Sequence, residues 1–355
     1  MSDLIPDDER VSMERRAALA FGLALLLLGL FVYAAGWDNV IAAIYRTDPG
    51  IYLGAFGATV GCLLCRAFVW HRVLSIVDEP RPYWLTSGVF LTAMFTKYVV
   101  PYGQVASGVG IAAVVSRYYD AAYEEGLAGV VSADFLNYLP YYTLGGVGAG
   151  YVVIVHSPPV AELTPYALPV ALLVALVALV VGILWRHQAL VLRTVVGITT
   201  GLRRILERLF GRNVNVLQPE NVKRRFRGFY ATLDLVARNR RAVAVALAFA
   251  HLGWLGLAVA LYLTTQAIGA PISLGMAMFA VAVSKFGFVV PTPGGVGGVE
   301  LALATVLYLL APMAFATATA IALLWRLSTY WFTIAVGGLS AMAVTLKDPV
   351  PPGAD

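Results

Sequence analysis

Long apolar runs separated by short polar connections are the dominant pattern of the chain. A helix that crosses a bilayer needs roughly 20 consecutive apolar residues, and six uninterrupted runs reach or approach that length. The pattern predicts one integral membrane domain over 1–355 with about six full spans. The predicted spans are 17–36, 50–70, 126–155, 166–185, 242–266 and 313–346.

Two further apolar runs are interrupted by proline and glycine. The run 84–116 contains PYG at 101–103, and the run 273–311 contains PTPGG at 291–295. Proline removes a backbone donor and blocks continuation of a helix, and unpaired backbone groups are costly in hydrocarbon. Each broken run is therefore predicted to enter the membrane and turn back. The expected fold is all-α, a polytopic helical bundle with two re-entrant broken-helix hairpins besides its full spans.

Composition and charge placement agree with a membrane protein and orient it. Hydrophobic residues make up 60% of the chain and charged residues only 13%, where a soluble domain carries about a quarter charged residues. Of 25 Lys and Arg residues, 13 lie in 186–241, which predicts a cytoplasmic segment there and cytoplasmic N- and C-termini in the cell membrane. Helical apolar spacing over 198–209 predicts an interfacial helix. Because topology accounts for the basic charge, nucleic acid is not an expected partner.

The two broken runs resemble each other. The first reads TKYVVPYG, with Lys97 ahead of Pro101, and the second reads SKFGFVVPTPGG, with Lys285 ahead of Pro291. We interpret 17–155 and 166–346 as two repeats, the second interrupted by the basic segment 186–241. Three crossings in each half make the repeat inverted, the plan of many transporters in which broken helices meet near the bilayer midplane. Chance similarity between glycine-rich membrane segments is the alternative.

Six charged residues lie within apolar segments and are candidate functional residues. Such charges are costly in a membrane and usually face a bundle interior or a cavity. Asp134 and Arg326 occupy matched spans and are expected to pair. A set of internal salt bridges that orient helices is the alternative, and Arg66 could instead snorkel to the inner interface. The predicted coupling or gating residues are Arg66, Asp134, Glu300 and Arg326.

The second break also predicts an anion site. A helix that starts after PTPGG directs its free N–H groups and positive dipole end at the break, which suits a phosphate or carboxylate. A tight packing turn is the alternative for the same glycines. Two lysines near the breaks favour an anionic ligand, either a lipid headgroup or a small organic anion. The predicted ligand-binding residues are Lys97, Pro101, Gly103, Lys285, Pro291, Pro293, Gly294, Gly295 and Gly297.

Metal, cofactor and catalytic motifs are not found in the sequence. Cys62 and Cys65 stand three apart without a second Cys or His pair, and the four histidines are scattered, so we expect no metal site. There is no G-x-S-x-G elbow and no Asp-rich metal motif. We therefore expect no cofactor, no catalytic residue and no enzyme activity.

The proline-glycine motif resembles a known family. PTPGGVGGVE resembles the P-x-P-G-G-x-G-x-x-E signature of the membrane module of lysylphosphatidylglycerol synthase and flippase proteins. Lys285, Arg326 and the CRAFVWHRVL segment around Arg66 are also similar to that family, although Val299 stands where many members carry arginine. The resemblance implies lipid handling by a stand-alone membrane module without the soluble synthase domain.

The leading hypothesis is therefore a flippase-like transporter that moves a lipid between leaflets. The lipid would be an anionic or aminoacylated phospholipid, or a polyprenyl-phosphate-linked lipid. The expected partners are membrane lipids and a soluble synthase or glycosyltransferase. A membrane-embedded enzyme, an accessory subunit of a lipid-modifying synthase or glycosyltransferase, and a transporter of a small organic acid are the alternatives.

Overall fold

The computed structural model describes most of the chain as helix. It covers residues 28–99, 122–156, 186–210, 218–290 and 292–346, with the isolated residues 22, 26, 111, 115, 118, 119, 179 and 182. No strand occurs in these described ranges, which confirms the all-α class. They form two compact units, one of Met1–Val152 with Val236–Asp355 and one of Val153–Leu235.

Five helices of the described ranges are long and apolar enough to cross a membrane, and a bent pair makes a sixth. This confirms the polytopic fold, and three predicted spans lie within α3, α5 and α8 below. Most of the predicted span 166–185 lies outside the described residues. The helices before the basic segment are α1 (Leu28–Ala35), α2 (Trp37–Tyr45), α3 (Pro49–Val77), α4 (Tyr83–Val99) and α5 (Tyr123–His156).

The remaining helices include two short irregular pieces in the second broken run and a π-helical turn near the end. The helices of the basic segment are α6 (Gln188–Phe210) and α7 (Pro219–Arg238), and those after it are α8 (Arg240–Ala267), α9 (Leu274–Ser284), α10 (Gly298–Leu310), α11 (Phe315–Arg326) and α12 (Phe332–Leu346). The irregular pieces are the 3₁₀ turns Lys285–Val289 and Pro293–Gly295 and the π turn Leu327–Trp331.

Local capping explains where several spans begin. The Asp48 carboxylate accepts hydrogen bonds from the N–H groups of Gly50 at 2.8 Å and Ile51 at 3.1 Å, and Pro49 occupies the first turn of α3. Ser273 caps α9 in the same way by accepting from the Met276 amide at 3.2 Å. These side chains satisfy amides that have no partner within their own helix.

Small residues bring α3 and α8 into close contact along their length. A Cβ atom on Gly253 would lie 2.8 Å from Cγ of Arg66, and one on Gly256 would lie 2.9 Å from the carbonyl oxygen of Ala58. Glycine at such positions lets membrane helices approach closely. The tight α3–α8 pair holds Arg66 inside the bundle, at 4% exposure, so the sequence alternative that it snorkels to the interface is wrong.

The second broken run is interrupted as the sequence predicts. Helix α9 ends at Ser284, and α10 restarts only at Gly298. Between them Gly294, Gly295 and Gly297 have φ values of 58°, 67° and 86°, a left-handed conformation that residues with a side chain rarely adopt. The helix break is confirmed, while its re-entrant course and the inverted repeat stay predictions. At the first broken run, α4 ends at Val99, and 100–110 lie outside the described residues.

The unit Val153–Leu235 contains two amphipathic helices, α6 and most of α7. Leu190 and Ile198 are exposed on α6, at 59% and 66%, and Lys223, Arg224 and Arg225 are exposed on α7. An amphipathic helix with a basic polar face is typical of a segment that lies at a membrane interface. The side chains of 202–210, where part of the predicted interfacial helix falls, lie outside the description.

Candidate functional site

A small polar cavity lies inside the larger unit, between the second break, α3, α8 and the π turn. Its volume is about 20 Å³, room for about one water molecule. Three of the charged residues that the sequence singled out line it. The lining residues are Thr59, Cys62, Leu63, Arg66, Tyr98, Leu257, Lys285, Trp325, Arg326, Thr329, Tyr330 and Thr333.

Lys285 sits in an aromatic cage directly after α9. Its Nζ lies 5.3 Å from the ring centre of Trp254, 5.2 Å from that of Phe288 and 5.9 Å from that of Trp325. Aromatic faces at such distances attract a cation, but they do not neutralise its charge. No carboxylate pairs with Lys285 in the described part of the chain.

Arg66 is the second cation of the cavity without a carboxylate partner among the described residues. Its guanidinium carbon lies 5.8 Å from the ring centre of Phe90, 5.9 Å from that of Tyr138 and 5.7 Å from that of Trp254. Its Nε has no hydrogen-bond partner in the described ranges. A buried donor without an acceptor is costly, so this nitrogen is a natural place for an anionic ligand to bind.

Arg326 is the third cation, and it bonds to a carboxylate and to the backbone of the second break. Its Nε donates to Oε1 of Glu300 at 2.7 Å, and its NH2 group donates to the carbonyl of Gly294 at 2.8 Å. The other carboxylate oxygen of Glu300 accepts from the amide of Gly297 at 2.8 Å. One buried ion pair therefore ties α10 and α11 to the backbone of the second break.

Tyr330, in the π turn, joins the two broken runs. Its hydroxyl lies 3.2 Å from the carbonyl oxygen of Tyr98 and 3.1 Å from that of Pro293, and its ring lies 3.9 Å below the guanidinium carbon of Arg326. A phenol carries a single donatable proton, while two carbonyls compete for it. π turns inside α-helices often occur at functional sites.

Lys97 lies in a separate arrangement and does not line the cavity. It is 2% exposed and pairs with Oδ2 of Asp134, whose Oδ1 accepts from Nε1 of Trp70 at 3.1 Å. The expected pairing of Asp134 with Arg326 is therefore wrong. Each of these residues pairs instead with a partner from the broken run of its own half, Asp134 with Lys97 of α4 and Arg326 with Glu300 of α10.

The glycines of the second break form a packed turn. Gly294, Gly295 and Gly297 are buried but do not line the cavity, and the Gly297 amide already donates to Glu300. A Cβ on Gly294 would lie 2.0 Å from Cε2 of Tyr330, so close packing requires glycine there. This geometry favours the packing-turn interpretation over an amide cradle for an anion. Pro101, Gly103 and Pro291 lie outside the described residues.

Sequence reasoning missed the aromatic residues that surround the cations. Trp325 is adjacent to the singled-out Arg326 and could have been noticed for that reason. Trp254 sits in an uninterrupted apolar run, and nothing local distinguishes it from a packing residue. In the described ranges no group of three His, Cys, Asp or Glu residues could hold a metal ion.

These features define a polytopic helical membrane protein with a buried cationic cavity beside a broken helix. The family model described as Lysylphosphatidylglycerol synthase TM region matches residues 17–337, and the chain belongs to this family. No curated protein matches the chain. The family match confirms the resemblance found in the sequence and makes this a membrane protein of lipid metabolism.

Proposed function

We propose that the protein is a flippase-like transporter that moves a lipid with a phosphate headgroup between the leaflets of the cell membrane. The observation that carries the proposal is the buried cavity with two cations, Arg66 and Lys285, that have no carboxylate partner among the described residues. Charges inside a membrane are costly and usually mark a substrate path or an internal pair. Arg66 and Lys285 have no internal carboxylate partner in the described ranges, so a substrate anion is the group that would neutralise their charge.

The cavity is too small to hold a headgroup in the conformation described. At about 20 Å³ it corresponds to a closed state, and a lipid enters only when the lining helices move apart. The π turn is an irregular element next to the cavity, and irregular backbone is where helices bend. We propose that bending there, together with movement of α4, opens the cavity to one leaflet at a time. Glu300 and Arg326 would hold the second break in place, and the pair of Asp134 and Lys97 would separate as α4 moves.

The test is translocation of a fluorescent anionic phospholipid in proteoliposomes, comparing wild type with Lys285→Met. Methionine keeps the contact with the aromatic cage and removes the charge. We expect the rate to fall by about tenfold or more, since losing a charge that binds the substrate in a buried site costs about 2 kcal/mol or more.

The matched control is Arg46→Met, which removes one positive charge from the exposed end of α2. We expect this variant to keep the wild-type rate. Equal rates for wild type and Lys285→Met would remove Lys285 from the transport site. Absence of translocation by the wild-type protein would overturn the transporter proposal itself.

We propose further that the chain itself carries out no chemical reaction and that a soluble synthase or glycosyltransferase supplies its lipid. The basic segment 186–241, which its charge predicts to be cytoplasmic, would be the contact region for such a partner or for anionic lipid. Co-purification of the native protein, followed by identification of bound proteins and lipids, tests this. Turnover of a lipid phosphate by the purified chain alone would contradict it.

A further inference from the structure

The charges around the cavity narrow the class of headgroup that it can accept. The charged residues that line the cavity in the described ranges are Arg66, Lys285 and Arg326, all of them cations. Arg326 is neutralised by Glu300, and the other two are not paired with a carboxylate there. The cavity wall therefore carries an excess of positive charge that attracts anions and repels cations.

Both oxygens of the buried Glu300 and of the partly exposed Asp134 already accept hydrogen bonds from groups of the protein. Glu300 accepts from Arg326 with one oxygen and from the Gly297 amide with the other. Asp134 accepts from Lys97 and from Trp70. Neither carboxylate lines the cavity, so a positively charged headgroup would find no counter-charge among the described residues.

The aromatic cage is occupied as well. A pocket for an ammonium group is usually built from aromatic faces, and the cavity region has them in Trp254, Phe288 and Trp325. All three rings already surround Nζ of Lys285. The protein has placed its own ammonium group where a cationic headgroup would otherwise bind.

Two hydroxyl groups of the cavity already donate within their own helices. The hydroxyl of Thr59 donates to the carbonyl of Ala55 at 3.0 Å, and that of Thr329 donates to the carbonyl of Trp325 at 2.6 Å. The cationic donors that remain for a ligand are Arg66 Nε and Lys285 Nζ.

We infer that this site selects headgroups with an uncompensated phosphate and rejects those that carry an ammonium group, including aminoacylated phosphatidylglycerol. The inference rests on the proposed function and specifies its substrate class. The inferred substrate of this chain differs from the aminoacylated lipid after which the family is named. A free phosphate anion shares the recognised chemistry, so the experiment must distinguish the two sources.

The experiment measures translocation of three acyl-labelled lipids in proteoliposomes of otherwise identical composition. The lipids are phosphatidylglycerol, lysylphosphatidylglycerol and phosphatidylcholine, which carry anionic, cationic and zwitterionic headgroups. We expect phosphatidylglycerol to move at least about tenfold faster than the other two, because like charges placed side by side cost several kcal/mol. In Lys285→Met the preference should shrink to less than about threefold, while Arg46→Met keeps it.

The possible outcomes distinguish failure of the inference alone from failure of the proposed function. Lysylphosphatidylglycerol moving as fast as phosphatidylglycerol would overturn the inference and leave the transporter intact. If none of the three lipids moves, the proposed function fails and the inference fails with it. Uptake of radiolabelled inorganic phosphate without lipid movement would identify a free anion as the ligand and overturn both.

Discussion

In the part of the chain that the structure describes, an ion pair holds each of the two broken runs, and the two pairs differ in how deeply they are buried and in what they bond to. Glu300 and Arg326 are 1% and 4% exposed, and both also bond to the backbone of the second break, at Gly297 and Gly294. In the other pair the Asp134 side chain is 21% exposed, and among the described contacts it bonds only to the side chains of Lys97 and Trp70.

This difference indicates different roles. A buried pair that is bonded to the backbone fixes the shape of a turn. Removing one partner of the pair leaves the other charge uncompensated. A partly exposed side-chain pair costs less to separate, since solvent replaces part of the lost interaction. We infer that the second break is the rigid element beside the cavity and that α4, which carries Lys97, is the element that moves in the proposed transport cycle.

The largest expected effect comes from Glu300→Gln. This change leaves Arg326 buried without a counter-charge, and we expect the free energy of unfolding in detergent to fall by about 3–5 kcal/mol. Denaturant or thermal unfolding measures the loss. Adding Arg326→Gln should recover part of it, because the pair contributes a coupling term that a double-mutant cycle detects. No recovery in the double variant would argue against a coupled pair.

The next largest effect is expected for Gly294→Ala. The new Cβ would lie 2.0 Å from Cε2 of Tyr330 on a backbone with φ of 58°. We expect about 2–4 kcal/mol of destabilisation, from strain and overpacking of about 1–2 kcal/mol each. Gly146→Ala in α5 is the control, since its Cβ would meet no atom within 4 Å, and thermal unfolding compares the two. Equal midpoints would show that the turn relaxes freely.

A smaller loss of stability is expected for Asp134→Asn. The asparagine keeps the shape and a hydrogen bond to Trp70 but removes the charge opposite Lys97. We expect about 1–3 kcal/mol, less than for Glu300→Gln, together with a larger fractional change in the translocation rate. A stability loss equal to that of Glu300→Gln would contradict the distinction between a rigid and a movable element.

The smallest stability effect is expected for Tyr330→Phe. The hydroxyl lies within reach of a carbonyl from each broken run, and its single proton serves one of them at a time. Removal should cost about 0.5–1.5 kcal/mol, while the ring still packs against Arg326. We expect the translocation rate to change more than the unfolding midpoint does. An unchanged rate would mean that this link does not hold the closed state.

The spans and the second break could be predicted from the sequence because both depend on local chemistry. Apolar length decides whether a helix spans, and a run that contains Pro293, Gly294 and Gly295 does not continue as an α-helix through these residues. The burial of Arg66, Lys97, Glu300 and Arg326 followed from the same reasoning, since a charge inside an apolar run must face the interior of a bundle.

The pairing of those charges could not be predicted, and Asp134 shows why. Its position in a span matched to that of Arg326 suggested a pair, but which side chains meet depends on how the helices pack. Contact between α3 and α8 is set by Gly253 and Gly256 facing Arg66 and Ala58, and neither the distance nor the rotation follows from the sequence of either helix.

The sequence by itself determined an all-α membrane protein with proline-glycine breaks and a few charges in its interior, because hydropathy and backbone chemistry act over a few residues. Only the tertiary structure decided that Lys285 occupies a cage of three aromatic rings, that Glu300 neutralises Arg326, and that Arg66 has no carboxylate partner among the described residues. The physical reason is that a buried charge is neutralised by the groups that surround it in space. Those groups come from other helices, and the packing of the helices decides which of them meet.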